Sequence, residues 1–396
     1  MNNLSPEDNL ILSCTKLFLN SGRPEEVRGI LEKEIDWSYL IRKAHSHGVL
    51  PLLYQGLNTS PELVPGDVLN RLKKEFHANT GSNLYLTGKL LELLDLFKSN
   101  GISAIPYKGP VLSASVYGDV SLRQFTDLDI LIHERDFLKS KNLLISHGYR
   151  PEIELSSDRE TAFLRLQRDF KFFCNGGEGI VELQWRIPPI YFPFSLDTGR
   201  FWRSLEPVFI GAKEIETLSP EDLILTLCIH GLCHNWERLE WVCDVARLMT
   251  IRKDIDWGRV LDNASGLGAE RILLFGLLLA NDLLGIALPE KVLHKAEAEA
   301  TIKLLAAQRC ENFFLDVASP IRAWESSFSH IRVWKCFKEK VRYCLGLAFT
   351  PNVKDIELLK FPASLFSLYY LMRPMRLAAE YGMGVLSFIF NRINLR

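Results

Sequence analysis

KGPVLSASVYGDVSLRQFTDLDILI, Lys108 to Ile132, changes its period part-way along. It follows the apolar segment ISAIPY (Ile102–Tyr107), which predicts a short buried strand, and its Lys108-Gly109-Pro110 start predicts a turn into a helix with proline in the first turn. From Asp127 the pattern is alternation. Residues two apart on a strand share a face, so Asp127 and Asp129 project together while Leu128, Ile130 and Ile132 point into a core. Two carboxylates held side by side are costly to ionise together unless a cation lies between them, and hard oxygen donors favour Mg²⁺ or Mn²⁺ over Zn²⁺. A pair of exposed acids at a strand start is the plainer alternative.

Upstream of the aspartates, Gly109 permits close approach of the backbone to a ligand, the helix start offers unpaired N–H groups and Lys108 adds positive charge. That combination suits a phosphate; an ordinary strand-to-helix turn with a solvated lysine is the alternative. Arg123 offers a fork for phosphate oxygens, or a partner for the two aspartates. Downstream, RDFKFFC (Arg168–Cys174) and IVELQWRI (Ile180–Ile187) read as strands flanking NGGEG (175–179), a hairpin turn. Glu182 is a carboxylate set among Ile180, Val181 and Leu183, and burying it without a partner is costly. If its strand lies beside that of Asp127, Glu182 joins the same cluster, to orient a metal or take a proton; otherwise it faces solvent on an edge.

The Lys108–Ile132 run, a following helix, the Gly148-Tyr149 turn and the later VELQW resemble the bacterial nucleotidyltransferase-like family of the DNA polymerase β superfamily. Members of that family typically show a Lys-Gly start, an Arg shortly before Asp-x-Asp, and a third acidic strand. The resemblance, most specific over residues 81–190, implies an α+β fold: a mixed-sheet nucleotidyltransferase core flanked by N-terminal helices and a C-terminal helical domain. It implies Lys108 and Gly109 at the phosphate loop and Asp127, Asp129 and Glu182 as the acidic triad, holding Mg²⁺ or Mn²⁺ with an NTP as co-substrate. Gln184 stands where the family often has His, and Lys-Gly where most of the superfamily has Gly-Ser. The implied activity is transfer of a nucleoside monophosphate to a hydroxyl-bearing small molecule, peptide or glycan with release of pyrophosphate. The alternative is an inactive nucleotide-binding or scaffold module that keeps the fold.

Further along, His230 and His234 stand one helical turn apart, as zinc ligands do in HExxH proteases, but Gly231 occupies the place of the general base. The resembling family has a similar stretch after its core, which suggests that Gln184, His230, His234, Arg238 and Asp244 line a substrate cleft; satisfied core polar groups are the alternative.

Around this centre the periodicity divides the chain into an N-terminal helical region (1–80), an α+β core (81–218) and a C-terminal helical domain (219–396). The 47 Lys and Arg against 48 Asp and Glu give a net charge of −1, so no global field draws the protein onto a long nucleic acid. Eight cysteines without a CxxC pair predict reduced thiols in a cytoplasmic protein. The acidic start MNNLSPEDNL is unlike a secretory signal, and no apolar run is long enough to predict a transmembrane helix. Near the end, basic residues (Arg332, Lys335, Lys338, Lys340, Arg342, then Arg373, Arg376, Arg392, Arg396) interleave with aromatics. They suit either a peripheral contact with an anionic membrane surface or solvated helix faces over a core.

Overall fold

The computed structural model describes residues 4–174, 179–196, 198–315, 331–359 and 361–380. Ser5 accepts the Asp8 N–H at 3.1 Å and opens a helix over Pro6–Phe18. Helices Pro24–Leu31, Trp37–Ser46 and Leu50–Leu57 complete a helical lead-in. A long helix, Gly66–Ser99, then runs without a break through residue 80 and ends at Gly101, whose φ of +62° suits the left-handed stop that glycine adopts at least cost.

Strands β1 (Ala104–Pro106), β2 (Asp127–Ile132), β3 (Arg150–Pro151), β4 (Asp169–Phe173) and β5 (Ile180–Gln184) form one sheet in the order β1-β2-β5-β4-β3. Only β2 and β5 run parallel, so the sheet is mixed and the fold is α+β. β4 and β5 are antiparallel neighbours, as the hairpin reading requires, while residues 175–178 of its turn lie outside the described residues. A second sheet pairs β6 (Leu205–Ile210) with β7 (Lys213–Leu218). The sequence reading identified no strands there, because Glu206, Pro207, Glu214 and Glu216 dilute the apolar alternation.

The two faces of the main sheet differ in character. Leu128, Ile130, Val181, Leu183, Phe170 and Phe172 are buried against Leu86, Leu90, Leu93 and Phe97 of the long helix. Asp127, Asp129, Glu182 and Gln184 take the opposite face by strand parity, with Asp169 and Lys171 of β4 directly across from Gln184 and Glu182. That face looks toward helices Pro220–Cys233 and Leu239–Ile251. Ser219, followed by Pro220 and two acids, opens the first of them, accepting the Asp222 N–H at 3.4 Å. The core of these helices is continuous with that of the N-terminal helices: Leu10, Ile11 and Cys14 belong to the same buried cluster as Leu227, Ile229 and Val242.

All eight cysteines are free, six of them buried or partly buried. Among the described residues no helix is long and apolar enough to cross a membrane. Of the C-terminal basic residues, Arg332, Lys335, Lys338 and Arg342 are exposed, while the last described arginines and most of the aromatics are turned inward. Arg373 and Arg376 pair with the fully buried Asp355 at 3.1 and 2.6 Å, and Trp334, Tyr343, Phe366 and Tyr369 are core residues, although Phe337 and Tyr370 are exposed. Arg392 and Arg396 lie outside the described residues.

Candidate functional site

Between the polar sheet face and the two helices lies a cleft of about 320 Å³. Its floor is built by register. Asp129 is the direct neighbour of Glu182 across the parallel β2–β5 pair, and Asp127 stands two residues before Asp129 on the same face. Lys108 leaves β1 in extended conformation and its Nζ lies 3.1 Å from Asp129 Oδ1, both side chains buried. Gln184 ties the cluster together: its Nε2 donates to Asp129 Oδ1 at 2.7 Å and to Glu182 Oε1 at 2.6 Å, while its Oε1 accepts from the Tyr107 hydroxyl.

Crowding sets the electrostatics. Burial, and then the adjacent Asp129, raise the Asp127 pKa. Burial, then Asp129 and Asp169, push Glu182 up to about 8. For Lys108, burial pulls the ammonium pKa down, but Asp129, Tyr107, Glu182 and Asp127 together outweigh it and the net shift is upward. Lys108 thus answers Asp129, while Asp127 and Glu182 keep raised values. Among the described residues no group of three or more His, Cys, Asp or Glu side chains converges into a metal cage. The donor set nevertheless fits a hard divalent ion, because Mg²⁺ is usually held by one or two carboxylates plus substrate phosphates, and Asp127 offers a crowded carboxylate that takes no hydrogen bond among the described residues.

Other predicted residues fall elsewhere in the geometry. Gly109 is buried behind the cleft wall with φ +53°, and a Cβ there would lie 3.2 Å from the Asp127 carbonyl oxygen, so its small size lets β2 and the Lys108 turn approach each other. The helix it opens is regular only over Gly109–Leu112. Arg123 lines the cleft, but its fork is engaged at two points by Asp244, Nε–Oδ1 and Nη2–Oδ2 both 2.9 Å, and Tyr117 also donates to Asp244 at 2.8 Å. Neither of the cleft aspartates receives it. Asn79 and Asn83 of the long helix donate to the Arg123 carbonyl at 3.2 and 2.7 Å and so hold the turn that leads into β2.

The opposite wall is uncharged at its centre. His230 and His234 lie with ring centroids 4.6 Å apart and both contact Trp241. Burial, then Lys108, hold His230 well below the usual imidazole range, and loss of surrounding water, then Arg168 and Lys108, bring His234 to about 4, so both rings are neutral at pH 7. Gly231 packs against the Trp236 ring, where a Cβ would meet it at 2.5 Å; a zincin glutamate has no room there. Arg238 lies over Trp241 with Nε 3.1 Å from Glu240 Oε1.

Sequence reasoning passed over Tyr107, Arg168, Asp169, Lys171 and Glu240, all of which line the cleft. A signal was present for two of them. Asp169 and Lys171 alternate with Phe170 and Phe172, the mark of a strand with one polar face. Glu240 gave none, since only the turn through Asn235 and Trp236, both at positive φ, swings Arg238–Trp241 over the sheet.

The fold and site define an α+β protein with a carboxylate-floored cleft between a mixed sheet and a helical wall. The profile of the uncharacterised nucleotidyltransferase family matches residues 33–285, and the chain belongs to that family. No curated protein and no solved structure matches it.

Proposed function

We propose that the protein transfers a nucleoside monophosphate from an NTP to a hydroxyl-bearing acceptor, with Mg²⁺ or Mn²⁺ held by Asp127 and Asp129. The observation that carries this reading is the placement of Asp127, Asp129 and Glu182 on one sheet face at the base of one cleft, with Lys108 beside them. A divalent ion bound there would neutralise the phosphate oxygens at the reacting centre. Lys108 supplies fixed positive charge next to Asp129, where a phosphate chain needs it. Glu182 is the candidate base: burial and the nearby acids favour its protonated form, and a cation bound beside it would favour the carboxylate that takes the proton of the acceptor hydroxyl as the oxygen–phosphorus bond forms and the bond to pyrophosphate breaks. The neutral rings of His234 and Trp241 offer flat surfaces for a base or an acceptor. Arg123 and Asp244 act at a distance, bracing the turn before β2. The cytoplasm supplies NTPs and keeps free thiols reduced, which agrees with eight unpaired cysteines.

A second reading, a nucleotide-binding module without turnover, is favoured by the Lys108 and Gln184 contacts that already occupy Asp129 Oδ1. A screen of the four NTPs and candidate acceptors for pyrophosphate release, in Mg²⁺ and in Mn²⁺, separates the two. Transfer by the wild type and its loss in Asp129→Asn supports catalysis; nucleotide binding without pyrophosphate release in any combination supports the module.

A further inference from the structure

With Arg123 spent on Asp244, the cleft needs another cation for a phosphate chain. Lys108 is buried and bonded to Asp129. Arg168 is anchored twice, by Asp169 at 2.9 Å and by the Ile187 carbonyl at 2.9 Å. Lys171 differs from both: its side chain is 44% exposed, and its Nζ stands 3.6 Å from Glu182 Oε2, beyond hydrogen-bond distance.

Its position follows from register. Asp129, Glu182 and Lys171 are aligned across three adjacent strands, β2, β5 and β4, on the cleft face. Neighbouring strands lie about 4.8 Å apart, so Lys171 rises roughly 10 Å from the strand of Asp129. A polyphosphate lying across this face would meet Lys108 at one end and Lys171 at the other. Exchanging a long, weak contact with Glu182 for a charge-assisted bond to phosphate loses little and leaves the Glu182 oxygen free.

We propose that Lys171 binds the phosphate chain of the nucleotide, opposite Lys108, an inference that rests on the nucleotide-transfer reading of the same cleft. The test titrates wild type, Lys171→Met, Lys171→Gln, Lys171→Arg and Lys108→Met with ATP, GTP, CTP and UTP, and with inorganic tripolyphosphate in Mg²⁺ buffer, by calorimetry. Lys171→Met and Lys171→Gln are expected to weaken both tripolyphosphate and the preferred nucleotide about tenfold, the loss of one charge-assisted contact. Lys171→Arg is expected to stay within about threefold of wild type, since a guanidinium keeps the charge. Unchanged affinity in both neutral variants, with weaker binding in Lys108→Met, overturns the assignment of Lys171 and leaves the nucleotide reading standing. Loss of nucleotide but not of tripolyphosphate affinity also overturns it, because the contact is then to the nucleoside. A wild type that binds none of these probes removes both.

Discussion

Arg123 and Asp244, 121 residues apart in the chain, are joined by two parallel contacts of 2.9 Å in a buried setting. The pair ties the turn before β2 to helix Leu239–Ile251 and so fixes the width of the cleft between them. Breaking such a pair strands a buried charge. Arg123→Ala or Asp244→Ala is expected to lower unfolding stability by about 3–5 kcal/mol, whereas replacing both with apolar residues of similar volume should cost much less. Urea unfolding of the singles and the double checks this; additive losses in the double would contradict it.

Asp127 and Asp129 share one face under mutual repulsion, with the Asp127 pKa raised by burial and by its neighbour. Asp127→Asn is therefore expected to leave the melting temperature of the metal-free protein unchanged or higher. Millimolar Mg²⁺ or Mn²⁺ should raise the melting temperature of the wild type by mass action and leave that of the variant unmoved. An equal metal-induced rise in both would remove Asp127 from the ion site.

Glu240 is buried, and its carboxyl is pushed up to about 7, first by burial, with Arg123 and Arg238 opposing. A raised folded pKa means the folded state binds more protons than the unfolded between about 4.5 and 7, so stability contributed here is present at low pH and lost as pH rises through 7. Unfolding free energy should fall by a few kcal/mol at most between pH 5 and pH 8, and Glu240→Gln should flatten that slope. Denaturant titrations across this range read the difference; identical slopes would show that Glu240 does not contribute.

Gly48 has φ +71°, and a Cβ there would lie 1.9 Å from Glu240 Oε2 and 2.9 Å from Arg238 Nη2. Gly48→Ala should destabilise the fold by about 1–3 kcal/mol, from backbone strain and displacement of the Glu240 carboxylate. Loss confined to thermal stability, without change in Arg238 or Trp241 accessibility, would count against the displacement.

Local patterns carry local information, and much of this protein is local. The helix starts at Ser5 and Ser219 are of this kind, because an N-cap is a contact with an amide three residues away. The shared face of Asp127 and Asp129 followed from strand parity alone, as did the inward set of Leu128, Ile130 and Ile132. The α+β class followed from the change of period between Gly101 and Leu218.

Which strand lies beside which is a different kind of fact. The parallel pairing of β2 with β5 brings Glu182 to Asp129 from 53 positions away in the chain, and no period within either strand encodes it. The β6–β7 hairpin likewise escaped notice because Pro207, Glu214 and Glu216 face outward and leave only short apolar stretches between them. Arg123 reads as a fork for phosphate oxygens or for Asp127 and Asp129, and its partner is not legible, since a guanidinium takes whichever carboxylate the fold delivers, and the fold delivers Asp244. The sequence by itself determined the elements with a clear period and the direction in which each side chain points from them. The tertiary structure alone decided which charges meet, because Coulomb and hydrogen-bond contacts act across space between segments whose separation along the chain carries no trace of it.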